Sequence, residues 1–219
     1  MPSNDKELIT IANPKSPVSE AYRTLRTNIQ FSSLDKPLRT LLVTSSSSNE
    51  GKSTTLGNLA VTFAQAGNRV ILVDCDLRRP SLHDLFGIEN DSGLTNLVIG
   101  DLPATVPARD TSVPNLRLLP SGPLPPNPSE LLGSQRMDRI LEMLKSEADF
   151  VLLDCPPILA VTDAAVLARK VDGALLVVSA GKTKREHASK AKLLLDKVNA
   201  NVIGVVLNNA RFDSALYKY

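Results

Sequence analysis

Three short stretches hold side chains whose types and spacing suit chemistry on a phosphate group. The first is SSSSNEGKST at 45–54, between the apolar residues Leu41, Leu42 and Val43 and a helical pattern over 54–65. Successive backbone N–H groups in such a loop, with a helix start behind them, wrap phosphate oxygens; Lys52 adds mobile positive charge and Ser53 a hydroxyl able to ligate Mg²⁺. The pattern is that of a Walker A loop, G-x-x-x-x-G-K-[ST], with Ser46 standing where its first glycine belongs. The expected nucleotide contacts are Ser47, Ser48, Asn49, Glu50, Gly51, Lys52, Ser53 and Thr54.

The second stretch, VILVDCDLRRP, runs through four apolar residues to Asp74 and Asp76. On an extended strand end, carboxylates at i and i+2 project to the same side. The third, DFVLLDCPP, ends its apolar run at Asp154, where a Walker B strand supplies the acid for Mg²⁺ or its water. A lysine, a hydroxyl and three aspartates thus all fall at the ends of apolar runs, where open α/β sheets place their ligands.

The elements that must position them follow from periodicity. Ser16 before Pro17 is a helix cap with proline at the first helical position, and Val18, Ala21, Tyr22, Leu25 and Ile29 then recur at helical spacing, predicting a helix over 16–33 with Tyr22 packed. Glu20, Arg23 and Arg26 recur every three residues on its other side as a short charged stripe. Gly67 caps the 54–65 helix. Apolar runs at 70–73, 116–119 (with Arg117 inside it), 150–153, 174–178 and 202–207 read as buried strands, with helices near 136–146, 162–169 and 184–198 between them. That alternation predicts an α/β fold, a mostly parallel sheet with helices on both faces. Residues 99–114 lack clear periodicity, and PSGPLPPNP at 120–128 places five of the chain's 15 prolines in nine residues, predicting an extended connection before a helix that starts at Ser129 and Glu130.

Composition narrows the function. The 219 residues suit one domain of ordinary make-up, 42% hydrophobic and 22% charged. A net charge of +2 makes no general electrostatic case for nucleic acid or for an anionic membrane. Neither a signal peptide nor a membrane span is expected, and two cysteines, Cys75 and Cys155, fit a reducing cytoplasm better than a disulfide framework. His83 and His187 lack ligand spacing and read as surface or packing residues. The basic residues from Lys182 to Lys197 read mostly as a solvated helix face, open to an acidic partner.

Taken together, SEAYRTLRTNIQFS at 19–32, EGKSTT at 50–55, VDCDLRRP at 73–80, SGPLPPNPSELL at 121–132 and LLDCPPIL at 152–159 resemble the bacterial tyrosine kinases that accompany capsule and exopolysaccharide machinery. The resemblance spans nearly the whole chain, a single P-loop NTPase-like kinase domain over 1–219. It implies an ATP- and Mg²⁺-dependent enzyme that phosphorylates tyrosines of its own C-terminal tail, between subunits, and of other proteins. Lys52, Asp74 and Asp76 would be catalytic, with Asp76 as base and Asp74 nearer the metal; Ser53, Asp74 and Asp154 would organise Mg²⁺. By similarity to related ATPases, Asn208 would meet the adenine. Tyr217 and Tyr219, in a tail at 211–219, would be the autophosphorylation sites, although the family tail carries several tyrosines and this one two. Glu20, Arg23 and Arg26 match the family's Glu-x-x-Arg-x-x-Arg pattern, which mediates subunit contacts in a ring.

The resemblance further implies a separate membrane-bound activator with a cytoplasmic tail, recruitment through it to the inner face of the plasma membrane, and a cognate tyrosine phosphatase. Two other classes compete. A ParA- or MinD-like ATPase switch carries a signature lysine where this chain has Ser47, and its positioning branch needs a C-terminal amphipathic helix for which 211–219 is short and polar. A nucleotide-sensing scaffold of polysaccharide assembly fits the same loop with slow or absent transfer. An iron–sulfur reductase would need cluster-ligating cysteines that neither Cys75 nor Cys155 supplies.

Overall fold

The structure, a computed structural model, describes residues 8–32 and 37–210. In chain order the elements are α1 (Ile9–Ala12), α2 (Pro17–Phe31), β1 (Thr40–Ser45), α3 (Lys52–Gln65), β2 (Val70–Asp74), α4 (Leu82–Phe86), α5 (Leu94–Ile99), β3 (Arg109–Asp110), β4 (Leu116–Leu119), α6 (Pro128–Gly133), α7 (Gln135–Glu147), β5 (Phe150–Asp154), α8 (Asp163–Ala168), β6 (Gly173–Ser179), α9 (Arg185–Lys197) and β7 (Val202–Asn208). The strands form one seven-stranded sheet in the order β3-β4-β2-β5-β1-β6-β7. All neighbours are parallel except β3, which pairs antiparallel with β4.

Successive strand residues point to opposite faces, and each face closes its own core. Leu42, Ile71, Val73, Val151, Leu153 and Leu176 pack on one side with Leu97, Leu132, Ile140, Leu144, Leu167 and Leu195 from the helices. Leu41, Val43, Leu72, Leu118, Leu152 and Val177 pack on the other with Leu8, Ile29, Leu56, Leu59, Phe63 and Leu82. Burial on both faces explains why β1, β2, β5 and β6 carry unbroken apolar runs; β7, expected to be buried, is an edge strand left partly exposed at Val205 and Leu207.

The first long helix starts as predicted, with the Ser16 side chain accepting the Ser19 N–H at 3.1 Å. Its apolar stripe is only partly covered: Ile29 is buried, Tyr22 and Leu25 are half-buried, and Val18 and Ala21 are exposed. Four of these residues line an open groove against Val205 and Leu207 of edge strand β7. Burial of Tyr22 pushes its hydroxyl above its ordinary pKa. The charged stripe folds back on the chain. Arg23 pairs with Glu20 and donates to the Pro14 carbonyl, and Arg26 donates to the Thr62 carbonyl at the end of α3.

The stretch without periodicity holds the two-residue strand β3, too short for any pattern to register. The proline-rich connection is extended and pinned at its start, where Asn90 accepts from Gly122 N–H at 2.8 Å and Ser121 C=O accepts from Thr95 N–H at 2.9 Å. Among the described residues, no helix is long and apolar enough to cross a membrane.

Candidate active site

The site forms where β1, β5 and β2 end side by side. Asp74 and Asp154 are register partners on β2 and β5, and Val43 of β1 pairs with Asp154 on its other side. Chain that leaves β1 at Ser45 must turn before α3, and Gly51 makes that turn with φ of +86°, a left-handed conformation that disfavours side chains. A Cβ there would also stand 2.1 Å from Asn208 Nδ2. Asn49, at φ +59°, takes the other left-handed position in the loop, one that asparagine tolerates.

Glu50 explains how the loop holds its shape without the first glycine. Its carboxylate is buried beneath the loop, accepting from Ser46 Oγ at 2.8 Å, from Ser47 N–H at 2.9 Å and from Thr183 Oγ1 at 2.5 Å. Ser46 is thus a donor that braces the loop. Thr183 belongs to the β6–α9 connection and also accepts the Ser179 N–H at 2.8 Å, so that connection buttresses the loop from behind. Asn208, at the end of β7, donates to the Glu50 carbonyl at 3.0 Å. Of the expected nucleotide contacts, Ser48, Asn49, Gly51, Lys52, Ser53 and Thr54 line a cleft of about 540 Å³. Ser47, Glu50 and Asn208 instead hold the loop from its far side.

Lys52 reaches across the cleft floor, with Nζ 3.1 Å from Asp76 Oδ2 and 3.1 Å from Asp154 Oδ1. Ser53 Oγ donates to Asp154 Oδ2 at 2.5 Å. Burial works against the lysine's charge, but the Asp154 and Asp76 carboxylates outweigh it and hold Lys52 protonated beyond its ordinary range. Burial also pushes Asp154 upward, against the pull of Lys52 and Ser53.

The two aspartates of the second motif do not face the same way, contrary to the i, i+2 expectation. β2 ends at Asp74, and the chain bends immediately afterwards, so the alternation rule stops applying there. Asp76 faces Lys52 and the cleft. Asp74 is fully buried and accepts N–H bonds from Asp76 at 3.1 Å and from Ser81 and Leu82 at 3.0 Å, so it organises the loop that carries Asp76. Burial and the nearby Asp154 charge push Asp74 up to about 7, even against those N–H bonds and Lys52.

Two side chains that sequence reasoning passed over complete this half of the cleft. Arg78, inside the RRP of the second motif, makes a two-pronged bond to Asp163, with Nε–Oδ2 2.9 Å and Nη2–Oδ1 3.0 Å. Asp163 opens α8 and is fully buried. An acid in the first turn of a predicted helix was the available signal, but its partner lies 85 residues away.

Lys52, Asp76, Asp154 and Ser53 therefore converge, with the first-turn N–H groups of α3 free of intrahelical acceptors. That suits phosphate, and the cleft is of ligand-binding size. Among the described residues no group of three His, Cys, Asp or Glu side chains forms a metal-ligand cluster. Mg²⁺ does not require one, since it is commonly held by one or two carboxylates with water and substrate phosphates. The hard oxygen donors of Ser53 and Asp154 fit that demand. Cys75 and Cys155 are buried packing residues beyond the strand ends, and burial raises the Cys155 thiol well above its ordinary pKa.

The ParA family model, described as an NUBPL iron-transfer P-loop NTPase, matches residues 38–216. The tyrosine-protein kinase YwqD of Bacillus subtilis is 43% identical over 206 residues, covering 94% of this chain and 87% of that protein. The chain belongs to the bacterial tyrosine kinase family. Among solved structures, the chimerical protein CapA2B2 superposes with a TM-score of 0.89 at 36% identity, covering 94% of this chain and 90% of that one. The kinase domain of Escherichia coli ETK gives 0.89 at 33% identity, covering 97% and 84%. The full Etk protein is longer, and this chain matches 29% of it. The tail tyrosines expected from the bacterial tyrosine kinase resemblance, Tyr217 and Tyr219, lie outside the described residues.

Proposed function

We propose that this chain transfers the γ-phosphoryl group of ATP to tyrosine hydroxyls, in its own tail at Tyr217 and Tyr219 and in other proteins. The observation that carries the reading is the meeting of Lys52, Asp76, Asp154 and Ser53 at one point of a phosphate-shaped loop. The loop N–H groups and Lys52 bind and orient the phosphates. Mg²⁺, when bound, would be held by Ser53 and Asp154 and would neutralise charge on the phosphate oxygens. Asp74 serves through the loop that aims Asp76.

A tyrosine hydroxyl has a pKa of about 10, so it must shed its proton as its oxygen bonds phosphorus. Asp76 faces the cleft and accepts that proton. The new oxygen–phosphorus bond forms as the bond to the β–γ bridging oxygen breaks, and the leaving ADP carries the electron pair near Lys52. Resemblance to the family supports transfer between subunits of a ring, contacts by Glu20, Arg23 and Arg26, a membrane-bound activator that recruits the chain to the inner face of the membrane, a phosphatase that reverses the reaction, and control of capsule or exopolysaccharide synthesis.

The test is incubation of the purified chain with ATP and Mg²⁺, alone and with an activator tail peptide, followed by mass spectrometry of the C-terminal peptide. Phosphate on Tyr217 or Tyr219 that vanishes in Lys52→Ala supports the kinase. ATP hydrolysis with no phosphotyrosine points to the switch or scaffold.

A further inference from the structure

Three cations line the cleft, Lys52, Arg78 and Arg79, and among the described residues two of them are matched to carboxylates. Lys52 is engaged by Asp76 and Asp154. Arg78 is engaged by the buried carboxylate of Asp163. Arg79 lines the same cleft, is exposed, and has no acidic partner among the described residues. Its backbone N–H donates to Asp76 Oδ1 at 3.0 Å, which roots the side chain beside the carboxylate that faces the acceptor. The cleft lining also includes Pro156, Pro157, Ala160 and Val161, which carry no charge.

An acceptor segment entering here meets negative charge from Asp76 and from the nucleotide, so an acidic side chain beside the tyrosine is disfavoured unless a local cation offsets it. We infer that Arg79 is that cation, a specificity-determining residue that favours acceptor segments bearing a carboxylate side chain near the tyrosine. Arg78 cannot take the role while Asp163 holds both of its prongs. The inference rests on the kinase reading above and adds to it the chemical class of acceptors in other proteins; the chain's own Tyr217 and Tyr219 flank Lys218 with no adjacent carboxylate side chain, so by this rule the tail is a weaker acceptor than a Glu-flanked segment.

The test uses three synthetic peptides identical except for Glu, Gln or Lys flanking one tyrosine, with the full chain, ATP and Mg²⁺. The readout is the ratio of kcat/KM values, with the KM for ATP measured in parallel. The native chain is expected to favour the Glu peptide over the Gln peptide by about threefold, a ratio that shrinks as salt rises. Arg79→Lys keeps the preference, Arg79→Gln brings the ratio to about one, and Arg79→Glu turns it toward the Lys peptide. A Glu preference that survives Arg79→Gln overturns the inference. So does an effect of that substitution on the KM for ATP alone, which would assign Arg79 to the nucleotide. Transfer to all three peptides without charge preference sinks the inference and leaves the kinase standing; ATP binding with transfer to none sinks both.

Discussion

At the amino end of the sheet Arg69 meets Asp149 at 2.8 Å, and at the carboxyl end Lys52 meets Asp154 at 3.1 Å. The geometry is nearly the same, yet the two aspartates move in opposite directions. Asp149, bonded by Arg69 in water, is held below its ordinary pKa. Asp154, bonded by Lys52 in the protein, is pushed above it because burial outweighs the pairing. The side chains of the first pair are 61% and 41% exposed, those of the second 12% and 0%. Desolvation opposes the charge of both carboxylates; it is outweighed by the Arg69 bonds at exposed Asp149 and dominates at fully buried Asp154, which separates a surface contact from a group prepared for chemistry.

Substitutions can break or sharpen that contrast. Lys52→Ala should have the largest effect, lowering phosphoryl transfer by about a thousandfold, because it removes the positive charge at the phosphates and leaves Asp154 buried without its cation. Single-turnover assays check it. Gly51→Ala should come next. It forces a side chain into a left-handed position and into Asn208, so nucleotide affinity measured by titration should fall by tenfold or more, with a stability loss above about 1 kcal/mol in denaturant melts.

Glu50→Ala removes the shared acceptor of Ser46, Ser47 and Thr183, leaving buried donors unsatisfied. Chemical denaturation should show a loss of about 1–3 kcal/mol, with weaker nucleotide binding. Asp74 supplies a pH signature. Its pKa in the fold is about 7, above the ordinary 3.8, so the fold binds its proton more tightly than the unfolded chain does. Its contribution favours folding in acid and is lost as pH rises from about 4 to about 7. Melts of the nucleotide-free chain should therefore show the native protein losing stability relative to Asp74→Asn across that window. The smallest effect belongs to the amino end, where Arg69→Ala should leave transfer unchanged and the melting curve hardly moved.

The sheet was legible because strands buried on both faces must be continuous apolar runs, and 70–73, 150–153 and 174–178 are such runs, while 116–119 is interrupted by Arg117. The site was legible where chemistry and chain order coincide, as in Gly51 to Thr54 and at Asp154. It was not legible where partners are distant in sequence. The Arg78–Asp163 and Glu50–Thr183 contacts each join residues that no local pattern connects. The missing first glycine of the phosphate loop became intelligible only once Ser46 was seen donating to Glu50. Facing was also beyond reach at the end of β2, since Asp74 and Asp76 part company where the strand stops.

In the proposed reaction Asp76 is the group that takes the tyrosine proton. The direct measurement is phosphotyrosine formation beside ATP binding in native protein and Asp76→Asn, with Arg69→Ala as the solvated counterpart. Asp76→Asn should still bind ATP while phosphotyrosine formation falls by about a hundredfold or more, and Arg69→Ala should match the native rate. Native-like phosphotyrosine formation by Asp76→Asn would contradict the account and move the proton acceptor elsewhere.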